Sequence, residues 1–294
     1  MELRQLATFR TVAEMGNFTR AAEHLGYVQS NVTAHVQALE RELGVVLFDR
    51  LGRQVRLTLA GRRLLDYAGR ILALADEASD AVNDTGAGEV RISAPETLCA
   101  HRLPALLRLA RSELPLARVV FRPVAAGTLR QQVWAGELDV AFALELPYPT
   151  PGLHVESLAR EEILLVASPD HALVTAAAVA PADLLGVPVL LTEAGCAYRV
   201  RFEQALAAAG VTPREMLEFS SVEAIKQCVI AGMGLAVLPA VTVARELAQG
   251  ELAALRWVGP SLTMTTQLIW HAKRWCGPTL SAFLALARQA LTTT

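Results

Sequence analysis

Apolar positions in the first 43 residues recur at helical spacing in three separate runs. Leu3, Leu6, Phe9, Val12 and Ala13 share one face of a first amphipathic helix, which Gly16-Asn17 ends. Ala21, Ala22 and Leu25 share one face of a second helix, with Thr19 as its N-cap candidate and Gly26 as its stop. Val32, Val36, Leu39 and Leu43 form a third stripe behind a second N-cap candidate, Ser30. Small residues at 21 and 22 let the second and third helices approach closely, and the short turn between them makes a helix-turn-helix. Phe18 is expected to plug the three-helix core.

Past Gly44 the period changes. Val45 to Phe48 is an apolar anchor. In Asp49 to Leu57, Val55 and Leu57 alternate with Arg56 and Gly52 sits at the tip, which predicts a short β-hairpin, a wing beside the helix-turn-helix. Thr58 can cap a long helix from about Leu59 to Val82. On it Leu64, Ala68, Ile71, Ala75, Ala78 and Val82 are spaced 4, 3, 4, 3, 4, the seam of a coiled coil. A long helix with one narrow apolar stripe needs a partner, and the same helix of a second copy is the expected one. Asp84 to Gly88 reads as a Gly-rich hinge. From Glu89 onward short β-rich runs alternate with helical stretches. Strands are expected at Val90–Ser93, Arg118–Val124, Leu138–Leu144, Ile163–Ala167, Val187–Leu191, Met216–Phe219, Leu235–Leu238 and Thr265–Trp270. Helices are expected at Leu103–Leu109, Leu129–Ala135, Tyr198–Ala209, Val222–Ala231 and Thr279–Leu291. That alternation implies an α/β body with parallel sheets.

Composition sharpens this picture where it is uneven. The net charge of −2 over 294 residues does not advertise a nucleic-acid binder. Residues 1–63, however, hold nine arginines against six acids, and five of those arginines lie between Arg50 and Arg63. A basic head on a nearly neutral body suits DNA binding by the head alone. The four cysteines, at 99, 196, 228 and 276, have neither CxxC nor metal-ligand spacing and suit a reducing compartment. The longest charge-free run, which contains Cys228 to Ala244, is shorter than the roughly 20 residues of a spanning helix and contains Gly232, Gly234 and Pro239. It reads as a helix end, a turn and a strand. No signal peptide is visible, so a cytoplasmic protein without membrane contact is expected. GxSxG, HExxH and Walker patterns are absent, and Gly232-Met233-Gly234 lacks the third glycine of a dinucleotide fingerprint. No enzymatic activity, cofactor or metal is expected.

Two sets of residues carry candidate chemistry. Off its buried stripe the third helix presents Gln29, Asn31, Thr33, His35 and Gln37, amides and hydroxyls of the kind that bond base edges in a major groove. Arg53, near the wing tip, suits a narrow minor groove. In the body, ligands of open α/β sheets bind beyond the carboxyl ends of strands, against helix N-termini. Thr97, Gly127-Thr128, the stretch Thr192 to Tyr198 and Ser220-Ser221 occupy such positions. Their hydroxyls suit a small anion, or else Thr97, Thr128 and Ser221 are simply caps.

The head resembles one family in detail. Phe18-Thr19-Arg20-Ala21-Ala22, Leu25, Gln29-Ser30, Val32-Thr33, Leu39-Glu40, Leu43-Gly44, Leu47-Phe48-Asp49-Arg50 and Leu57-Thr58-Leu59-Ala60-Gly61 are similar to the N-terminal signature of LysR-type transcriptional regulators. The resemblance implies an α/β chain with an N-terminal winged helix-turn-helix (1–58), a linker helix and hinge (59–88) and a two-subdomain, periplasmic-binding-protein-like (type 2) effector domain (89–294). Subdomain I would hold about 89–162 and 267–294, subdomain II about 163–266, with crossovers near Arg160 to Ile163 and Thr265 to Leu268. It also implies a homodimer or dimer of dimers on an interrupted palindromic operator of double-stranded DNA, controlled by a small-molecule effector. The DNA-binding positions would be Thr19, Gln29, Ser30, Asn31, Thr33, Gln37, Arg50 and Arg53. Ala34 departs from the family, where many members carry a longer polar residue, so one base contact is missing. Leu103-Pro104, Gly136 to Ala141, Pro169-Asp170-His171, Val222 to Ile225 and Leu238-Pro239 resemble weaker markers of the effector domain. By that resemblance Thr97 and Thr128 hold an effector's acidic group; the strand-end and helix-start positions add Thr192, Cys196, Tyr198 and Ser221 to the expected effector site. Two alternatives stay open. Glu193-Ala194-Gly195-Cys196 resembles the neighbourhood of the reactive thiol in peroxide-sensing members, so Cys196 or Cys228 is a redox candidate, although no second cysteine follows closely. A small-molecule-binding protein or enzyme with an oligomerising head is the other.

Overall fold

A computed structural model describes residues 1–51, 54–83 and 88–292. The head comprises α1 (Leu3–Met15), α2 (Phe18–Leu25), α3 (Gln29–Leu43) and an antiparallel hairpin of β1 (Phe48–Leu51) and β2 (Gln54–Leu57). Its core gathers Leu6, Phe9, Val12, Phe18, Ala21, Val32, Val36, Leu39 and Phe48. The rings of Phe9 and Phe18 meet that of Phe48 at centroid distances of 5.3 and 5.7 Å, so Phe18 fills the core as expected. Glu40 of α3 accepts from the backbone N–H of Leu47 (2.8 Å) and of Phe48 (3.4 Å), which fastens the wing's root to the third helix.

Neither expected cap of the helix-turn-helix is the one used. Asn17, not Thr19, caps α2: its Oδ1 accepts from Thr19 N (2.8 Å) and Arg20 N (3.1 Å). The helix therefore begins at Phe18, whose ring turns into the core while Thr19 faces out. Ser30 lies inside the first turn of α3, which starts after extended Val28 and has no side-chain cap. Gly26 does stop α2, with φ +68° that a side chain would resist. Thr58 caps α4 (Leu59–Asn83): Gly61 N donates to its Oγ1 at 2.9 Å, and that hydroxyl donates to Val46 O at 2.8 Å.

The body has two lobes. The first begins with β3 (Glu89–Ser93), α5 (Glu96–His101), α6 (Leu103–Glu113), β4 (Arg118–Phe121), α7 (Leu129–Trp134), β5 (Val140–Glu145) and β6 (Leu153–Glu161). The second comprises β7 (Ile163–Ala167), β8 (Val189–Leu191), α8 (Ala197–Ala208), β9 (Met216–Glu218), α9 (Val222–Ile230), β10 (Leu235–Pro239), α10 (Ala240–Gln249) and β11 (Ala253–Ala254). The chain then returns with β12 (Met264–His271) and α11 (Pro278–Leu291). The sheet orders are β4-β3-β5-β12-β6 and β11-β7-β10-β8-β9. The chain crosses between lobes at Glu162 and again within residues 255–263, ahead of Thr265 to Leu268, which belong to β12.

The sheets are mixed, not parallel throughout. β12 runs antiparallel to β5 and β6, and β7 runs antiparallel to β10 and β11. These strands follow the lobe crossings, so no right-handed helical crossover constrains their direction. The hydrophobic pattern predicts neither β6 nor α10. β6 carries His154, Glu156, Arg160 and Glu161 and lacks clean alternation, because its burial comes from one long pairing with β12. α10 starts directly after Pro239, inside the charge-free run whose glycines and proline suggest only a helix end, a turn and a strand.

Buried ion pairs fix both the lobe and the crossing. Asp139 takes Arg91 Nη2 at 2.7 Å and Arg274 Nη1 at 2.6 Å, joining β3, the start of β5 and the turn after β12. At the first crossing Glu161 takes both Arg102 Nε and Nη2 at 2.9 Å and the Thr266 hydroxyl at 3.0 Å. The head is not isolated from the body. α4 passes so close to the turn after α7 that a Cβ on Gly136 would lie 2.2 Å from Ala73 Cβ, and Gly136 itself has φ +76°.

Candidate functional site

The head exposes one polar edge. Gln29, Ser30, Asn31 and Gln37 lie on the open face of α3, Thr33 is half-buried, and Thr19 and Arg20 are exposed on α2 beside it. No side chain caps α3, and Asn31 N turns back to Val28 O at 3.0 Å, so the helix start keeps the partial positive charge of its N-terminal N–H groups. His35, which the sequence places among the polar positions, is turned inward: its Nδ1 is 2.9 Å from Thr8 Oγ1 and its ring meets Tyr27 edge-on at 5.8 Å. Val28, at the start of α3, is 63 % exposed. In the wing, Arg56 of β2 is exposed. Arg50 is described in its backbone only, as a residue of β1, and Arg53 lies outside the described residues.

Between the lobes a cavity of about 80 Å3 opens at the carboxyl ends of β3, β5 and β8. Thr97, Thr192, Cys196 and Tyr198 line it together. Thr97, Thr192 and Tyr198 are buried, and Thr192 Oγ1 has no hydrogen-bond partner among the described residues. Thr97 is not a loop residue: Pro95 turns the chain into α5 directly after β3, and that extra helix carries Thr97 inward. Thr128 and Ser221 do not line the cavity. The Thr128 hydroxyl donates to Ala125 O at 2.8 Å within its own turn, and Ser221 caps α9 by accepting from Ala224 N at 3.4 Å. The neighbours of these two, Gly127, Leu129 and Val222, face the cavity instead. Sequence reasoning covered Glu193 only as part of the stretch Thr192 to Tyr198 and missed Glu96 and Glu145. Glu96, Glu145 and Glu193 all line the cavity, and among the described residues no lysine, arginine or histidine does. Strand and helix spacing carries no signal for them, because the two lobes contribute them separately.

Burial pushes the Cys196 thiol above its usual value, and it does the same to the Tyr198 phenol. Both groups are therefore held in their neutral forms. Cys228 is half-buried against Ile225, Val229 and their neighbours in the core of the second lobe.

The chain matches two family models across almost its whole length. Residues 3–62 match the bacterial regulatory helix-turn-helix protein of the lysR family, and residues 83–292 match the LysR substrate binding domain. The chain belongs to the LysR family. It is 41 % identical to the HTH-type transcriptional regulator YwqM of Bacillus subtilis over 98 % of this chain and 99 % of that one. The fold is similar to full-length CbnR complexed with its target DNA, with TM-score 0.66 and 29 % identity over 99 % of this chain and 100 % of that one. A full-length cysteine-to-aspartate variant of OxyR from Pseudomonas aeruginosa shares the fold at TM-score 0.73 and 24 % identity, covering 100 % of this chain and 95 % of that one.

This LysR-type protein is thus a DNA-binding transcriptional regulator with an effector-binding domain, and its family is not one of enzymes. Among the described residues no helix is long and apolar enough to cross a membrane. The expected seam of the linker helix is divided. Ala68 is fully buried, and Leu64 and Ile71 pack with it against the head's own core. Ala75 is half-buried, while Ala78 and Val82 are exposed. The helix also leaves Tyr67 and Leu74 largely exposed, seven residues apart on a neighbouring face.

Proposed function

We propose that this LysR-type regulator works in the cytoplasm as a homodimer, or a dimer of dimers, on an interrupted palindrome. The observation that carries the reading is the exposed polar edge of α3, with Gln29, Ser30, Asn31 and Gln37 side by side above an uncapped helix start. Amides and hydroxyls there bond base edges, while the N-terminal N–H groups of α3, Thr19 and Arg20 hold phosphates. Arg50 and Arg53 extend the contact along the wing into the minor groove. One head reads one half-site, and two-fold pairing through the exposed part of α4, with Ala75, Ala78 and Val82, reads the second. The likeness to CbnR, whose structure was determined with target DNA, supports this reading.

The effector site is the cavity at Thr97, Thr192, Cys196 and Tyr198. An acidic group of the ligand fits the start of α8, a helix of 12 residues without a side-chain cap, together with the unpartnered Thr192 hydroxyl. A ligand held by both lobes changes their relation, and α4 is packed against the first lobe at Gly136, so the heads follow. Such control requires the ligand to bind one arrangement of the lobes more tightly than another. Redox control through Cys196 or Cys228 is not favoured: a thiol kept protonated by burial, as at Cys196, is a poor nucleophile toward peroxide.

Binding of the full-length protein to DNA from its own promoter region, measured across a salt series, tests the DNA reading. A sequence-selective complex is expected, with affinity falling steeply with salt. Equal binding to scrambled DNA would refute it.

A further inference from the structure

The charge of the cavity wall narrows the ligand. Of its three carboxylates only Glu145 forms an ion pair among the described residues: Arg130 donates to its Oε1 from Nε at 3.0 Å and from Nη2 at 2.7 Å. Glu96 reaches across the cleft from α5, where its Oε2 accepts from Val222 N at 3.2 Å, the first N–H of α9, so a helix start offsets part of its charge but no cation pairs with it among the described residues. Glu193 forms no ion pair among the described residues and stands at the cavity's exposed rim. Arg199, in the first turn of α8, is paired with Glu203 at 2.8 Å and with Glu218 at 2.5 Å, and its Nη1 also donates to the backbone O of Thr192. A purely anionic effector would meet the carboxylates of Glu96 and Glu193, neither of which forms an ion pair among the described residues, and their repulsion opposes it. The same wall nevertheless offers an anion site, at the uncapped start of α8 and the buried Thr192 hydroxyl. The cavity wall thus combines an anion-binding helix start with carboxylates. Its volume, about 80 Å3, is several times the ~10–15 Å3 a single water needs, which suits a small molecule.

We propose that the effector is a small zwitterion of the α-amino-acid class, with its carboxylate on the start of α8 and Thr192 and its ammonium between Glu96 and Glu193. The proposal rests on the reading of this cleft as the effector site. It assigns Glu96 and Glu193 as specificity residues that reject simple carboxylic acids.

The test uses the full-length protein. Thermal shift is measured with each of the standard L-amino acids and with the matching α-hydroxy acid, which keeps the carboxylate and side chain but lacks the ammonium. At least one amino acid is expected to raise the melting temperature while its hydroxy acid does not. Titration calorimetry with that amino acid should show at least tenfold weaker binding to Glu193→Gln and Glu96→Gln, with DNA binding retained as the check on folding. Thr192→Val should weaken binding as well. The ammonium assignment is overturned if hydroxy acids bind as well as amino acids, if Glu193→Gln binds as tightly as the parent, or if no amino acid binds. When a hydroxy acid binds and Thr192→Val abolishes it, the ammonium assignment fails and the cleft remains the effector site. Ligand binding that neither Thr192→Val nor the glutamine variants affect places the effector elsewhere, and both readings fall.

Discussion

Single residues of the head divide by what they can touch. Gln29 and Asn31 are exposed amides on α3, and a bidentate amide contact to adenine discriminates by about 1–3 kcal/mol. Replacing either by Ala should flatten base preference at one position of each half-site. Arg20, exposed on α2 next to that edge, suits phosphate and carries no sequence information. Arg20→Ala should weaken binding to every duplex alike and reduce the salt slope by about 0.9 for each phosphate it no longer neutralises. Anisotropy titrations with matched and scrambled duplexes at several salt concentrations separate the two behaviours. The short Ala34 side chain leaves this discrimination to its neighbours.

At the scale of elements, the position of a cap decides which side chain faces inward. Asn17 satisfies two N–H groups of α2, so the helix starts one residue before Thr19 and Phe18 is delivered to Phe48. Asn17→Ala should cost about 1 kcal/mol of head stability, whereas Thr19→Ala, at an exposed position within the first turn, should change it by less than about 0.5 kcal/mol. Urea unfolding of the two variants followed by near-ultraviolet dichroism checks this. If Thr19→Ala were the more damaging, the cap would be misassigned. Sequence spacing alone favours Thr19 because a hydroxyl before an apolar run is the commoner signal. The asparagine beside Gly16 reads as part of the preceding stop. The linker helix shows a related ambiguity: a 4-3-4-3-4 stripe states that a face is apolar, not which surface covers it. Leu64, Ala68 and Ile71 are covered by the chain's own head.

At the scale of the whole molecule, buried charge ties acid and base stability to the body. Glu246 is 1 % exposed, with Lys226 Nζ at 3.0 Å and Arg245 Nη2 at 2.9 Å. Burial works to raise its carboxyl, but these cations outweigh burial and hold it below the ordinary value of 4.5. Lys226 is the mirror case: burial works to lower it, yet Glu223 and Glu246 hold it above 10.5. A depressed carboxyl stabilises fully above its unfolded value, and the contribution is lost as pH falls below 4.5 through the folded value. For Lys226 the contribution is present below 10.5 and is lost as pH rises through its folded value. The denaturant midpoint of the body should therefore decline on both limbs, and Glu246→Gln should flatten the acid limb. An acid limb identical to that of the parent would show that this carboxylate does not govern it.

Local pattern determined most of the head. Helical period, Gly26 and the alternation around Arg56 are short-range facts, and short-range sterics and hydrogen bonding act on them without help from the rest of the chain. The polar edge of α3 was legible for the same reason, since 3.6-residue periodicity separates buried from exposed positions. The body was legible in its alternation of strands and helices, but not in the antiparallel strands, in β6 or in α10. The places of such strands depend on partners about 100 residues away, as in the pairing of Leu153–Glu161 with Met264–His271. The cleft was legible only in part. Thr97, Thr192, Cys196 and Tyr198 converge, while Thr128 and Ser221 spend their hydroxyls on their own turns. Only the tertiary structure brought Glu96, Glu145 and Glu193 to one cavity, because two lobes joined by two crossings supply its walls and no sequence spacing encodes their meeting.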